Sequence, residues 1–285
     1  MQDLPDKATE ELRECLAKDT ENPSVYLLLA EISLRQRNFD AAKSTLEAAV
    51  SYDFNVRHRP SYHLIRALIA VASHETKDAN AILTNAIQLY SLKPSKEQSF
   101  LTYESLESTK LKIQLELAKL LQLDGNFEET EKILDALRQE YGEEHEGQII
   151  FIQCDLLLKK KDVNRALRLL SEVSADKWYY VETRKIMADI YLTYKKDKRQ
   201  YIACFKEMMH SSPTPEILIA AGDAYARILE MEKAIETYET ALRKNPKDFA
   251  LTRKIGQVYV RSHNYLKAVS YFEAALKRSG HDLIR

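Results

Sequence analysis

PEILIAAGDAYARILEMEKAIETYETALRKNPKD, residues 215–248, is followed directly by FALTRKIGQVYVRSHNYLKAVSYFEAALKRSGHD, residues 249–282. The two stretches are one pattern written twice. Gly222, Tyr225, Ala234, Ile235, Tyr238, Ala241 and Leu242 return 34 residues later as Gly256, Tyr259, Ala268, Val269, Phe272, Ala275 and Leu276. Small and apolar positions recur at three- and four-residue steps on either side of a short break, which predicts two amphipathic helices folded back on each other. The small residues let the paired helices approach closely, and the aromatic and aliphatic positions fill the space between a unit and its neighbours. One such unit cannot bury its own apolar face, so the pattern implies a stack.

Counting back from Gly222 by 34 residues meets Ala188 and then Cys154 without a gap, and after insertions Ala118, Ala67 and Ala30. These residues, with Gly256, are expected where paired helices touch. The packing face of the second helix opens at Ala42, Ala79, Thr130, Ala166, Gln200, Ala234 and Ala268, where only Gln200 breaks the pattern. The repeats are read as 23–56, 60–93, 111–144, 147–180, 181–214, 215–248 and 249–282. The domain plan is a truncated repeat's second helix over 1–22, two repeats over 23–93, a loop insertion over 94–110 and five repeats over 111–282. The insertion is polar, with a short helix expected around 101–106. Both ends lack a polar cap, so the chain is expected to be part of a longer protein. Period and residue order resemble the tetratricopeptide repeat, a helix-turn-helix unit. The expected fold class is therefore all-α, a right-handed tetratricopeptide-repeat superhelical solenoid of antiparallel helix pairs.

Composition narrows the function. With 45% hydrophobic and 30% charged residues and only six Gly and seven Pro, the chain reads as a soluble helical array. A net charge of −1 argues against a nucleic-acid partner. The longest apolar run, Leu64 to Ala72, contains Arg66 and is too short to span a bilayer, so no direct membrane insertion is expected. Cys15, Cys154 and Cys204 form no CxxC spacing and are expected as buried thiols of a reducing compartment. His58 and His63 match no metal-binding helix, and no phosphate-binding loop appears. No metal, cofactor or catalytic residue is expected. The basic runs Lys159–Lys161 and Lys195–Arg199 fall at turns, where charges are expected to be solvated. Trp178, Tyr179 and Tyr180 sit at a repeat junction and are expected to staple adjacent units.

In such a stack the first helix of each unit lines the concave face, and its ninth and thirteenth residues point into the groove. Here these positions give Glu31 with Arg35, Asp155 with Lys159 and Asp223 with Arg227. An acid four residues before a base supports its own helix by about 0.2–0.5 kcal/mol. Asp189 is followed by Thr193 instead, so it is expected to lack a partner on its helix. Asp155, Lys159, Asp189, Asp223 and Arg227 are the candidate protein-binding residues, either as a charge ladder that recognises a partner or as a self-neutralised wall.

The stretches Lys185–Leu192, Lys196–Lys198, Tyr201–Glu207, Gly222–Tyr225, Asn245–Asp248 and Thr252–Lys277 carry a narrower resemblance. They are similar to the large tetratricopeptide-repeat subunit of intraflagellar transport complex A. Coverage is good over 147–282 and rests before that on the repeat pattern and the Asp124–Phe127 turn. The resemblance implies a non-catalytic scaffold in retrograde ciliary transport and ciliary protein trafficking, located in the cytoplasm, at the ciliary base and in the cilium. Its implied partners are WD-repeat and helical-repeat subunits and a small, mostly disordered one. Two alternatives stand beside it. A chaperone-tail clamp would need Lys and Asn where this chain has Leu27 and Glu31, Leu64 and Leu68, Leu115 and Lys119, or Phe151 and Asp155. The recruiting arm of a larger enzyme would be told by a catalytic domain outside this sequence.

Overall fold

A computed structural model describes residues 3–20, 22–91, 103–142, 145–246 and 248–279, and the regular structure among them is helical throughout. The chain divides into two compact units, residues 1–156 and 157–285. The first unit holds α1 (Asp3–Lys18), α2 (Pro23–Arg35), α3 (Phe39–Tyr52), α4 (Pro60–Ala72), α5 (Thr76–Ser91), α6 (Tyr103–Leu123), α7 (Phe127–Tyr141) and most of α8 (Glu146–Lys159). The second holds α9 (Val163–Ser171), α10 (Tyr180–Ile190), α11 (Lys198–Ser211), α12 (Pro215–Arg227), α13 (Met231–Lys244), α14 (Phe249–Arg261) and α15 (Tyr265–Ser279). Within each unit consecutive helices form hairpins that stack on the next hairpin, so the fold is an all-α array of tetratricopeptide repeats.

The side chains show why. Ala30, Ala67, Ala118, Cys154 and Ala188 are buried to within 1% of complete, and Gly222 and Gly256 are buried too. Ala42, Ala79, Thr130, Ala166, Ala234 and Ala268 are buried on the second helices of their repeats. Larger residues then lock hairpin to hairpin: Leu83, Ile113 and Leu117 in one cluster of the first unit, Leu134, Leu137 and Leu156 in another. In the second unit Leu170, Met208, Tyr238, Leu251 and Ile255 are fully enclosed. Polar groups close the helix ends. Asn38, Asn126 and Asp162 accept from the N–H three residues on, at 3.2, 3.4 and 3.1 Å, and Thr214 and Asp248 do the same before α12 and α14. Each such cap is worth ~1 kcal/mol.

The turn inside each hairpin needs one left-handed residue, and it falls at the fifteenth position of six repeats: Arg37, His74, Gly125, Lys161, Leu229 and His263, with φ between 59 and 79°. In 181–214 it is Lys196, at the sixteenth position with φ 55°. A π turn over Tyr191–Lys195 supplies the extra residue. The second helix is thus displaced by one, and Tyr201, Phe205 and Met208 are buried while Gln200 is exposed. The break at Gln200 marks this inserted residue. The link from α11 to α12, Ser212 to Thr214, is one residue shorter than Asn245 to Asp248 between α13 and α14, which restores the period.

Three expectations are corrected. Residues 103–110, expected within a loop insertion holding only a short helix around 101–106, are the opening turns of α6, and 92–102 lie outside the described residues. Trp178 is 72% exposed; Tyr179 and Tyr180 carry the packing, with the Trp178 ring edge-on to Tyr179 at 5.3 Å. Cys15 is exposed, whereas Cys154 and Cys204 are buried. Burial pushes the Cys154 thiol up to about 12 and that of Cys204 up to about 11. Because the thiolate is the reactive form, a maleimide at pH 8 is expected to modify Cys15 alone in the native protein and all three cysteines in denaturant. Mass spectrometry counts the adducts, and native labelling of Cys154 or Cys204 would contradict this packing.

Candidate protein-binding groove

The charges at the ninth and thirteenth positions of the first helices pair differently in the two units. In the first, Glu31 and Arg35 on α2 bind each other within the helix at 2.8 Å, both well exposed. In the second, the pairs run from one repeat to the next. Asp189 on α10 accepts from Arg227 on α12 at 3.2 Å, and Arg227 also hydrogen-bonds Tyr201. Asp223 on α12 takes Lys254 of α14 on both carboxylate oxygens at 2.7 Å and accepts a further bond from the Tyr238 hydroxyl. Burial first, and then this acceptor, holds the Tyr238 hydroxyl far above its ordinary pKa.

Among the described residues Asp189 therefore has no partner on its own helix and finds one on α12, and Arg227 serves the preceding repeat rather than its own helix. Lys185, one turn before Asp189, pairs with Glu182 at 3.2 Å. Asp155 is exposed on α8 in the first unit and makes contacts of its own, while Lys159 is exposed in the second unit without an ion pair among the described residues. The structure thus brings together Asp189, Asp223 and Arg227 of the five candidates.

Around Asp223 opens a cavity of about 320 Å³, with Arg227, Tyr238, Lys254, Gln257 and Arg261 on its walls. Of its three cations, Arg227 is paired with Asp189 and Lys254 with Asp223. Arg261 and Gln257 are exposed, and their side chains make no hydrogen bond or ion pair among the described residues. Arg261 is a planar donor whose geometry suits a carboxylate. Lys254 and Arg261 escaped the sequence reading. Arg261 stands at the thirteenth position, like Arg227, but Gln257 fills its ninth position, so no acid–base pair drew attention to it.

A second cavity, about 840 Å³, lies in the first unit among α3, α4 and α5, with Lys43, Glu47, Arg57, Arg66 and Asp78 on its walls. Its charges are mixed and its chemistry is not selective. Among the described residues no cluster of His, Cys, Asp and Glu is placed to hold a metal, and no helix is long and apolar enough to cross a membrane.

The family model for the tetratricopeptide repeat protein 21 ARM repeat matches residues 54–208, and the model for the fourth ARM domain of the same protein matches 251–285. The chain belongs to the tetratricopeptide repeat protein 21 family. General tetratricopeptide-repeat models also match, at 2–69 and 215–248. Tetratricopeptide repeat protein 21B of Xenopus laevis is 40% identical over 275 residues, covering 96% of this chain and 21% of that protein. The 21A protein of Homo sapiens is 37% identical over 274 residues, again 96% of this chain and 21% of the relative. The Caenorhabditis elegans homolog is 34% identical, with 93% and 20% covered. The chain thus spans about a fifth of the length of these relatives. Among solved structures, the crystal structure of the APC/C hetero-tetramer Cut9-Hcn1 aligns with a TM-score of 0.51 at 12% identity, over 90% of this chain and 46% of that one. At that identity the likeness concerns the fold alone. Family and fold together make this member of the tetratricopeptide repeat protein 21 family a repeat scaffold.

Proposed function

We propose that this chain is a non-catalytic scaffold within intraflagellar transport complex A, acting in retrograde ciliary transport and ciliary protein trafficking. It works in the cytoplasm, at the ciliary base and in the cilium, and it holds WD-repeat and helical-repeat subunits. The family match over 54–208 carries this reading, with the resemblance of the 147–282 stretch beside it. The groove around Asp223 is the contact surface in this proposal. Asp189 and Asp223 act by fixing Arg227 and Lys254, and Arg261 meets the partner's carboxylate.

The test is affinity capture from ciliated cells with the tagged protein and three variants. Wild type is expected to retain the transport-complex subunits. Arg261→Glu is expected to weaken capture at least about tenfold, equivalent to ~1.4 kcal/mol, because it sets like charge against the incoming acid. Asp189→Ala, which only loosens Arg227, is expected to lower it a few-fold, and Glu31→Ala to leave it unchanged. If wild type captures none of these subunits, the assignment to the complex fails. If Arg261→Glu captures as well as wild type, the groove fails while the assignment stands.

A further inference from the structure

The whole chain carries a net charge of −1, yet residues 159–165 and 195–199 together hold eight cations against two acids. Both acids are occupied as helix caps: Asp162 accepts from the N–H of Arg165, and Asp197 from those of Arg199 and Gln200. The two segments are neighbouring turns of the second unit. Lys195 Nζ donates to Asn164 Oδ1 at 2.7 Å, which ties the turn after α10 to the first residues of α9. Lys159, Lys161, Lys196, Lys198 and Arg199 are all exposed and have no ion pair among the described residues. A cationic edge thus stands at the hairpin turns, apart from the groove residues around Asp223.

Two apolar side chains stand with it where folding offers them nothing. The π turn presents Tyr194, 52% exposed, immediately before Lys195 and Lys196. The next turn in the stack carries Leu229, 73% exposed with φ 70°. At the equivalent position the other turns place Arg37, His74, Gly125, Lys161, Lys196 and His263, so Leu229 is the apolar exception. A branched apolar residue is a poor choice for a left-handed backbone and gains no burial there. Lysines on flexible stems around a protruding Tyr and Leu fit a planar anionic surface with an apolar layer beneath it. A peptide would ask instead for a groove with directional partners.

We propose that this turn edge, Lys159–Lys161 with Tyr194–Arg199 and Leu229, docks on the surface of an anionic lipid bilayer. The protein lies on the membrane and does not enter it. Lysines spread the charge, and Tyr194 and Leu229 reach the headgroup level.

The experiment is co-sedimentation of the protein with phosphatidylcholine vesicles, with and without phosphatidylserine. Wild type is expected to sediment only with the anionic vesicles. Each charge removed is expected to lower the affinity about fivefold, so Lys159→Gln/Lys161→Gln/Lys196→Gln should lose roughly a hundredfold. Neutralising three exposed lysines elsewhere, Lys77→Gln/Lys132→Gln/Lys206→Gln, should lose far less. Tyr194→Ser/Leu229→Asn keeps every charge, and Asn suits the left-handed turn, so its expected severalfold loss reports the apolar contacts. Circular dichroism confirms that each variant is folded. The proposal is overturned if wild type fails to sediment with the anionic vesicles, or if the two lysine triples lose equally. Capture on immobilised poly-glutamate without vesicle binding would overturn it in favour of an acidic polypeptide.

Discussion

Tyr201→Ala is expected to destabilise the second unit by about 3–5 kcal/mol, the range for removing a buried aromatic ring, while its neighbour Gln200→Ala changes stability by less than about 0.5 kcal/mol. A strict 34-residue register predicts the opposite, since it places Gln200 at the packing position. The π turn at Tyr191–Lys195 decides between them by turning the whole of α11 one residue onward. Tyr201 is 3% exposed, edge-on to Phe205 at 5.3 Å, and its hydroxyl reaches Arg227. Removing the ring opens a cavity on the buried face of α11 and takes away one of the two groups that hold the Arg227 guanidinium, leaving Asp189 alone. The Gln200 side chain is exposed. Urea midpoints for the two variants separate the registers, and a larger shift for Gln200→Ala would refute the displaced helix.

That displacement explains where sequence reasoning reached its limit. The hairpins themselves were legible because Ala, Gly and Cys at the close-approach position cannot be replaced by large residues without prising the helices apart. The extra residue at the π turn and the missing one before Pro215 cancel over a full repeat, so the period stays unbroken and only Gln200 betrays them. The helix expected around 101–106 overlaps the start of α6, and only its continuation was missed: Glu107 to Lys110 is polar and carries no apolar stripe. Pairing in the groove was misread because the helical spacing of Asp223 and Arg227 is visible in sequence, whereas the offset that carries Arg227 to Asp189 and Lys254 to Asp223 comes from stacking. In the run Trp178 to Tyr180, three adjacent aromatics give no signal of which one faces out.

Gly222→Leu is expected to lower stability by about 3 kcal/mol, the upper part of the range for overpacking a filled core, and Gly222→Ala by a smaller but measurable amount. The reason is the ring across the hairpin. A Cβ built on Gly222 lies 2.5 Å from Cδ1 of Tyr238, so something must move. Tyr238 cannot yield readily, because it is 2% exposed and its hydroxyl is held by Asp223. At Gly256 a Cβ would lie 2.8 Å from Cε1 of Phe272, but that ring is only half-buried and has no polar tether. Alanine gains roughly 1 kcal/mol over glycine inside a helix. That gain is expected to offset the contact at Gly256 and to fall short at Gly222, so one substitution made at equivalent positions should move the urea midpoint down in one repeat and hardly at all, or up, in the other. Trimming the opposing ring is the decisive control. In a Gly222→Ala/Tyr238→Leu double variant the alanine should no longer be unfavourable, and the coupling between the two sites is expected to be on the order of 1 kcal/mol. Strict additivity would mean that the two side chains do not meet, and the close approach of α12 and α13 would have to be abandoned.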